Sequence, residues 1–410
     1  MAGSATTTVE SLYIHVPFCA QKCAYCAFYS EPSSGDLINR YVAALIRELE
    51  IVADDLKPKT IFFGGGTPSL LNLCQWKQIL RAMERLHLLD AEEFTVECNP
   101  ATVSPDKAKQ LRDFGVNRIS MGVQSLDESL LDRLGRIHTR EMAFKSFDIL
   151  RRAGFNNLNL DLMFAIPGQT MEVWRATLAE ALALGSEHLS TYEVIYEDDT
   201  PLFAQLQAGK FDVDEDLACT MYEELVERAT GAGFRQYEVA NFARGSRSNE
   251  STVQSPQSAP DNDPTVDGRL SAADIPSRAC RHNVNYWRGG SFYGLGPSAT
   301  SYVRGVRTKN WPNTQLYCEE LEKGKRAIES REELPPLKRA GETAAFGLRM
   351  NAGWPFEEFR RTTHFDLRDE WAAEMNQLVA RGWAEILPDS FHLTRQGLRF
   401  ADSAAEMFLR

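Results

Sequence analysis

Three cysteines fall within eight residues, Cys19-Ala-Gln-Lys-Cys23-Ala-Tyr-Cys26, and no further Cys or His follows in the next dozen positions. Thiolates are soft ligands, and the C-x3-C-x2-C spacing lets one loop turn all three sulfurs toward one centre. A tetrahedral zinc site would require a fourth Cys or His nearby. Three ligands suit an iron–sulfur cluster with one iron left open, where the missing ligand becomes a binding position. Three unrelated buried thiols are the plainer alternative. A second signal is Gly64-Gly65-Gly66-Thr67-Pro68-Ser69. Successive glycines let backbone N–H and C=O groups approach a ligand closely, although alone they would read as an ordinary turn. Glu97 in "VECNP", Gln124 in "GVQS", Arg136 in "RLGR" and Asp161 in "NLDLM" complete the polar candidates. Cys74, Cys98, Cys219 and Cys318 are scattered and read as small core residues.

Elements that could position these groups recur regularly. Six short runs rich in β-branched and aromatic residues (11–16, 60–63, 94–98, 118–123, 158–164 and 189–195) alternate with segments carrying apolar residues at three- and four-residue intervals. Strands alternating with helices predict a parallel sheet. Six such units predict a partial (β/α)6 TIM-like barrel over 1–245, whose chemistry gathers on the loops after the C-terminal strand ends. The cysteines follow the first run and "GGGTPS" the second. Residues 246–279 hold four prolines, no aromatic residue and no periodicity, which predicts a disordered polar insertion. Residues 280–333 open on a Gly- and aromatic-rich block that reads as two short strands. Residues 334–410 carry helical patterns that lead into a hairpin around Pro388-Asp389-Ser390, predicting a smaller winged-helix-like α+β domain.

Composition narrows the function. The 410 residues are 43% hydrophobic, with a net charge of −12; this is a core-forming chain whose charge disfavours nucleic acid as partner. The winged-helix-like segment itself holds ten Lys/Arg against eleven Asp/Glu in residues 335–410, without the basic face that DNA binding needs. No apolar run spans a bilayer and the N-terminus does not read as a signal peptide, so the expected compartment is the cytoplasm. There cysteines stay reduced, and a tight cluster of three reads as a metal or redox site.

With these motifs in place, "YIHVPFCAQKCAYCAFYS" followed by "FFGGGTPSLL" resembles the radical S-adenosylmethionine (SAM) superfamily. The resemblance implies that Cys19, Cys23 and Cys26 hold a [4Fe–4S] cluster whose fourth iron is chelated by SAM, and that Gly65, Gly66 and Thr67 contact SAM. Within the superfamily the chain is similar to the oxygen-independent coproporphyrinogen III oxidase branch. That branch implies further SAM contacts at Tyr13, Tyr25, Glu97, Gln124, Arg136 and Asp161. A carboxylate suits a ribose hydroxyl pair, and an arginine suits the SAM carboxylate through a two-pronged hydrogen bond.

Inside this branch the chain looks most like the HemW haem chaperone family, through "NRISMGVQS", "LGRIH", "QYEVANFA" and above all His282-Asn283-Val284-Asn285-Tyr286-Trp287, an HNxxYW motif. The resemblance implies haem as a third bound group, with His282, Asn283, Tyr286 and Trp287 as haem-binding candidates and a haem-acceptor protein as partner, for instance a respiratory haem protein. Imidazole is a common axial ligand of haem iron, and Tyr and Trp offer flat apolar surface; Cys280 is the alternative ligand, and a capping and seam-filling role is the plainer reading. Phe28 stands where the oxidase has a further cysteine, and the oxidase's long N-terminal arm has no counterpart. Both features disfavour oxidative decarboxylation of coproporphyrinogen, which stays the alternative function together with radical methyl transfer. Whether SAM cleavage forms part of the function is left open, as are monomer and homodimer.

Overall fold

The computed structural model describes residues 8–32, 34–245 and 275–409. Almost all of the expected 246–279 insertion lies outside them. The chain divides into two compact units: the part up to Arg228 with Ser291–Glu333, and Ala229–Gly290 with Leu334–Arg410. This differs from the linear division drawn above, because segment 291–333 returns to the first unit through long-range pairing that leaves no local pattern.

In the first unit the six expected runs are all strands: β1 (Val9–Val16), β2 (Leu56–Gly65), β3 (Glu93–Cys98), β4 (Arg118–Gln124), β5 (Leu158–Phe164) and β6 (His188–Glu193). A seventh parallel strand, β7 (Tyr293–Leu295), pairs with β1. These seven strands, in the order β7-β1-β2-β3-β4-β5-β6, run parallel within a nine-stranded sheet that, among the described residues, does not close into a barrel. Crossover helices carry the chain back between strands, among them α1 (Gly35–Val52), α2 (Leu73–Arg85), α3 (Pro105–Asp113), α4 (Glu128–Arg133), α5 (Arg140–Arg152) and α6 (Met171–Ala183). Each starts where a short polar side chain accepts an otherwise orphaned backbone N–H: Ser34, Asn72, Ser104, Asp127, Thr139 and Thr170. The return of segment 291–333 is fixed by fully buried Glu48 of α1. Its carboxylate accepts from Gly296 N (2.9 Å), Asn310 Nδ2 (2.8 Å) and the Tyr317 hydroxyl (2.8 Å).

The sheet has an apolar and a polar face. Ile119, Met121, Leu158, Leu160 and Leu189 are buried, whereas Ser120, Asn159, Asp161 and His188 occupy the alternating positions. Register aligns Glu97 with Ser120, Ser120 with Asn159, and Asn159 with His188, so a polar row crosses four strands.

The second unit packs helices Pro336–Gly347, Phe356–Thr363 and Ala372–Ala380 against a three-stranded sheet of Trp354–Pro355, Ser390–Leu393 and Ala384–Ile386. Trp354, Phe359, Trp371, Phe391 and Phe408 fill its core. The expected hairpin around Pro388 is present. The Gly- and aromatic-rich block holds two short strands as expected, β7 and Thr300–Val303, but it opens on a helix, Arg281–Trp287, that the sequence reading did not place. Its aromatics and following glycines imitate a strand and turn, yet Val284 N donates to Cys280 O and Arg288 N to Val284 O, both at 3.0 Å, in helical fashion.

Candidate functional site

The C-terminal ends of β1 to β6 open onto a cavity of about 460 Å³. Cys19, Cys23, Cys26, Tyr25, Gly65, Gly66, Thr67, Glu97, Gln124, Arg136 and Asp161 all line it. Of the candidates for cluster and SAM, Tyr13 alone does not.

The cysteine loop is held at both sides. Ala24 N donates to Leu134 O and Ala24 O accepts from Leu202 N, each at 2.9 Å. The three thiols are unpaired by disulfides and half-exposed. Thr67 Oγ1 lies 3.5 Å from Cys19 Sγ, and Arg136 Nη1 donates to Cys23 Sγ at 3.4 Å. Arg136 Nη2 donates to Gly122 O at 2.6 Å, while its buried Nε has no protein partner. A buried guanidinium with a donor to spare fits an anionic ligand group, and a thiol that accepts from it fits the thiolate form. Three half-exposed thiols beside this arginine are a donor set suited to an iron–sulfur cluster, so the residues present fit both cluster and SAM.

The glycine loop is threaded close to β1. Gly66 N donates to Val16 O and Thr67 N to Phe18 O, both at 2.8 Å. A Cβ on Gly66 would stand 2.7 Å from Val16 O. Gly65 has φ +100°, and a Cβ there would lie 2.4 Å from His15 Cε1. The buried His15 imidazole thus sits beneath the loop. Its Nε2 is 2.9 Å from the Tyr29 carbonyl and its Nδ1 is 3.0 Å from the Tyr13 hydroxyl. Burial lowers its pKa, favouring the neutral ring. A carbonyl only accepts, so Nε2 carries the proton and Nδ1 accepts from Tyr13. Tyr13 therefore bears on the site through His15, which links the glycine loop to the chain just past the last cysteine.

Glu97 and Asp161 are two half-buried carboxyls on one cavity. Burial, and then repulsion from Asp161, pushes Glu97 up to about 8; burial also raises Asp161, against hydrogen bonds from Asn159 and Ser120. The supporting residues Ser120, Asn159, His188 and His15 were missed in the sequence. Their signal was present as polar residues alternating with apolar ones inside strands, but its meaning depends on register. Exposed apolar side chains also reach the cavity: Phe28, 69% exposed, with Tyr192 and Ile195.

The HNxxYW residues belong to the second unit and are not among the residues that line this cavity. His282 is 1% exposed, and its Nε2 is 2.8 Å from the Tyr286 hydroxyl. Trp287 packs against Tyr237, whose hydroxyl accepts from Cys280 N at 3.1 Å.

A family model of the radical SAM superfamily matches residues 13–181, and one of the HemN C-terminal domain matches residues 334–400. The chain is 32% identical to the haem chaperone HemW of Lactococcus lactis subsp. lactis, over 98% of this chain and 97% of that one. The chain belongs to the HemW family. The haem chaperone HemW of Escherichia coli K12 is likewise 32% identical, across 97% of this chain and 98% of its own length. The HemW-family chain shares its fold with coproporphyrinogen III oxidase (HemN) from Escherichia coli, described as a radical SAM enzyme: TM-score 0.78, 99% of this chain and 91% of that chain, at 20% identity. HemW membership and the HemN-like fold agree with the parallel sheet and separate C-terminal unit seen here.

Proposed function

We propose that this protein is a cytoplasmic haem chaperone on a radical SAM core, taking up haem and passing it to an acceptor such as a respiratory haem protein. The end-to-end match to HemW haem chaperones carries the reading, and the eleven cluster and SAM candidates gathered on one cavity support its radical SAM core. Cys19, Cys23 and Cys26 would hold a [4Fe–4S] cluster. Gly65, Gly66, Thr67, Gln124, Arg136, Glu97 and Asp161 would hold SAM, with Tyr25 on the same wall. Bound together, cluster and SAM would supply one-electron radical chemistry at the cavity. Arg136, with its buried spare donor, suits the ligand carboxylate, and Glu97 and Asp161 suit ribose hydroxyls.

For haem, His282 is the candidate iron ligand, with Asn283, Tyr286 and Trp287 around it. Its Nε2 must exchange the Tyr286 hydroxyl for the metal. Tyr286→Phe removes that competitor and is expected to tighten haem binding, whereas His282→Ala weakens it, both read by absorbance titration. Equal affinities in wild type and both variants would remove His282 as ligand. The reading as a whole is tested by assaying one anaerobically reconstituted sample for haem binding and for coproporphyrinogen turnover. Binding without turnover is expected; turnover would favour the oxidase reading.

A further inference from the structure

Behind Asp161 lies a saturated hydrogen-bond chain. Asn159 Nδ2 donates to Asp161 Oδ1 and to Ser120 Oγ, both at 2.7 Å. Ser120 Oγ donates in turn to Asp161 Oδ2 at 3.1 Å. On its other side, Asn159 Oδ1 accepts from Ser190 Oγ at 3.1 Å and lies 2.6 Å from His188 Nδ1. All these side chains come from β4, β5 and β6, at positions set by register. An amide whose oxygen is taken by His188 and Ser190 can turn only its NH2 toward the carboxylate. His188 is fully buried and kept neutral by burial and by Arg118, so its Nδ1–H serves as the fixed donor.

The two carboxyls of the cavity are thereby made unequal. Asp161 receives side-chain donors on both oxygens, whereas among the described residues Glu97 is supplied by the Gly65 backbone and by no side-chain donor. Groups facing Asp161 are Glu97 from β3, Arg118 from β4, Arg136 beyond α4 and, through Asn159, His188 from β6. Two carboxyls in one poorly solvated site share their protons according to their donors, so the better-supplied one keeps the negative charge.

We propose that Asn159, oriented by His188 and assisted by Ser120, is a positioning residue that keeps the negative charge of the pair on Asp161 as an acceptor for ligand hydroxyls and leaves the proton to Glu97. Resting on the SAM-binding reading above, this assigns the two carboxyls opposite tasks: Asp161 accepts, and Glu97 can donate.

The test is equilibrium dialysis of SAM against anaerobically reconstituted protein across a pH series. Ligand binding that needs ionised Asp161 rises with pH through the Asp161 pKa and then levels off. Asn159→Ala removes donors, raises that pKa and moves the midpoint upward by about one pH unit, so affinity below the midpoint falls about tenfold and recovers in alkali. Ser120→Ala, the smaller change, moves it in the same direction. Leu160→Ala, on the apolar face of the same strand, lowers stability without moving the midpoint. Reduced affinity with an unmoved midpoint in Asn159→Ala and Ser120→Ala overturns the proposal, as does unchanged binding. Asp161→Ala binding SAM like wild type would instead sink the SAM assignment on which the proposal rests.

Discussion

At the scale of residues, the cavity is a set of exacting positions. Replacing any of Cys19, Cys23 or Cys26 by Ser is expected to abolish the iron–sulfur absorbance of reconstituted protein while leaving its melting before reconstitution near that of the wild type, because the half-exposed thiols contribute little packing. Gly65→Ala combines a left-handed φ with a 2.4 Å approach to His15. Such strain costs about 1–3 kcal/mol, and a urea melt should show the loss together with weakened SAM binding. Glu97 supplies a pH dependence. Burial and the neighbouring Asp161 push its folded pKa up to about 8, above the ordinary carboxyl value of 4.5, so the folded state binds the extra proton. Its stability contribution is intact below 4.5 and is lost as pH rises toward about 8. Glu97→Gln should flatten the fall in melting temperature over that window; an unchanged slope would contradict the assignment.

At the scale of elements, the strands that carry the site were legible because runs of β-branched and aromatic residues alternate with capped amphipathic helices. Cysteines, glycines, Glu97, Gln124 and Arg136 could be placed because each falls near the end of such a run or after it, whereas Asp161 stands in the middle of its run. What stayed hidden depended on pairing between distant segments. β7 is three residues long and is recognisable only beside β1. The polar row from Glu97 to His188 exists only once register is known. The HNxxYW helix was misread because Tyr, Trp and a double glycine resemble a strand and turn, although His282 and Tyr286 already stand one helical turn apart and meet at 2.8 Å. In the second unit, Trp371 is fully buried between Phe359 and Phe408, with its Nε1 donating to Phe408 O at 3.1 Å. Trp371→Ala should cost about 3–5 kcal/mol in a denaturant titration.

At the scale of the whole molecule, the chain carries a net charge of −12, and among the described residues no helix is long and apolar enough to cross a membrane. The oxidase-like fold does not decide the reaction, because one fold can host different functions. Family membership favours the haem-carrier reading over the oxidase reading. Titration of the anaerobically reconstituted protein with haem, followed by absorbance, tests that reading most directly. A saturable spectral change with a defined endpoint is predicted; a featureless, non-saturating response at every haem concentration would contradict it.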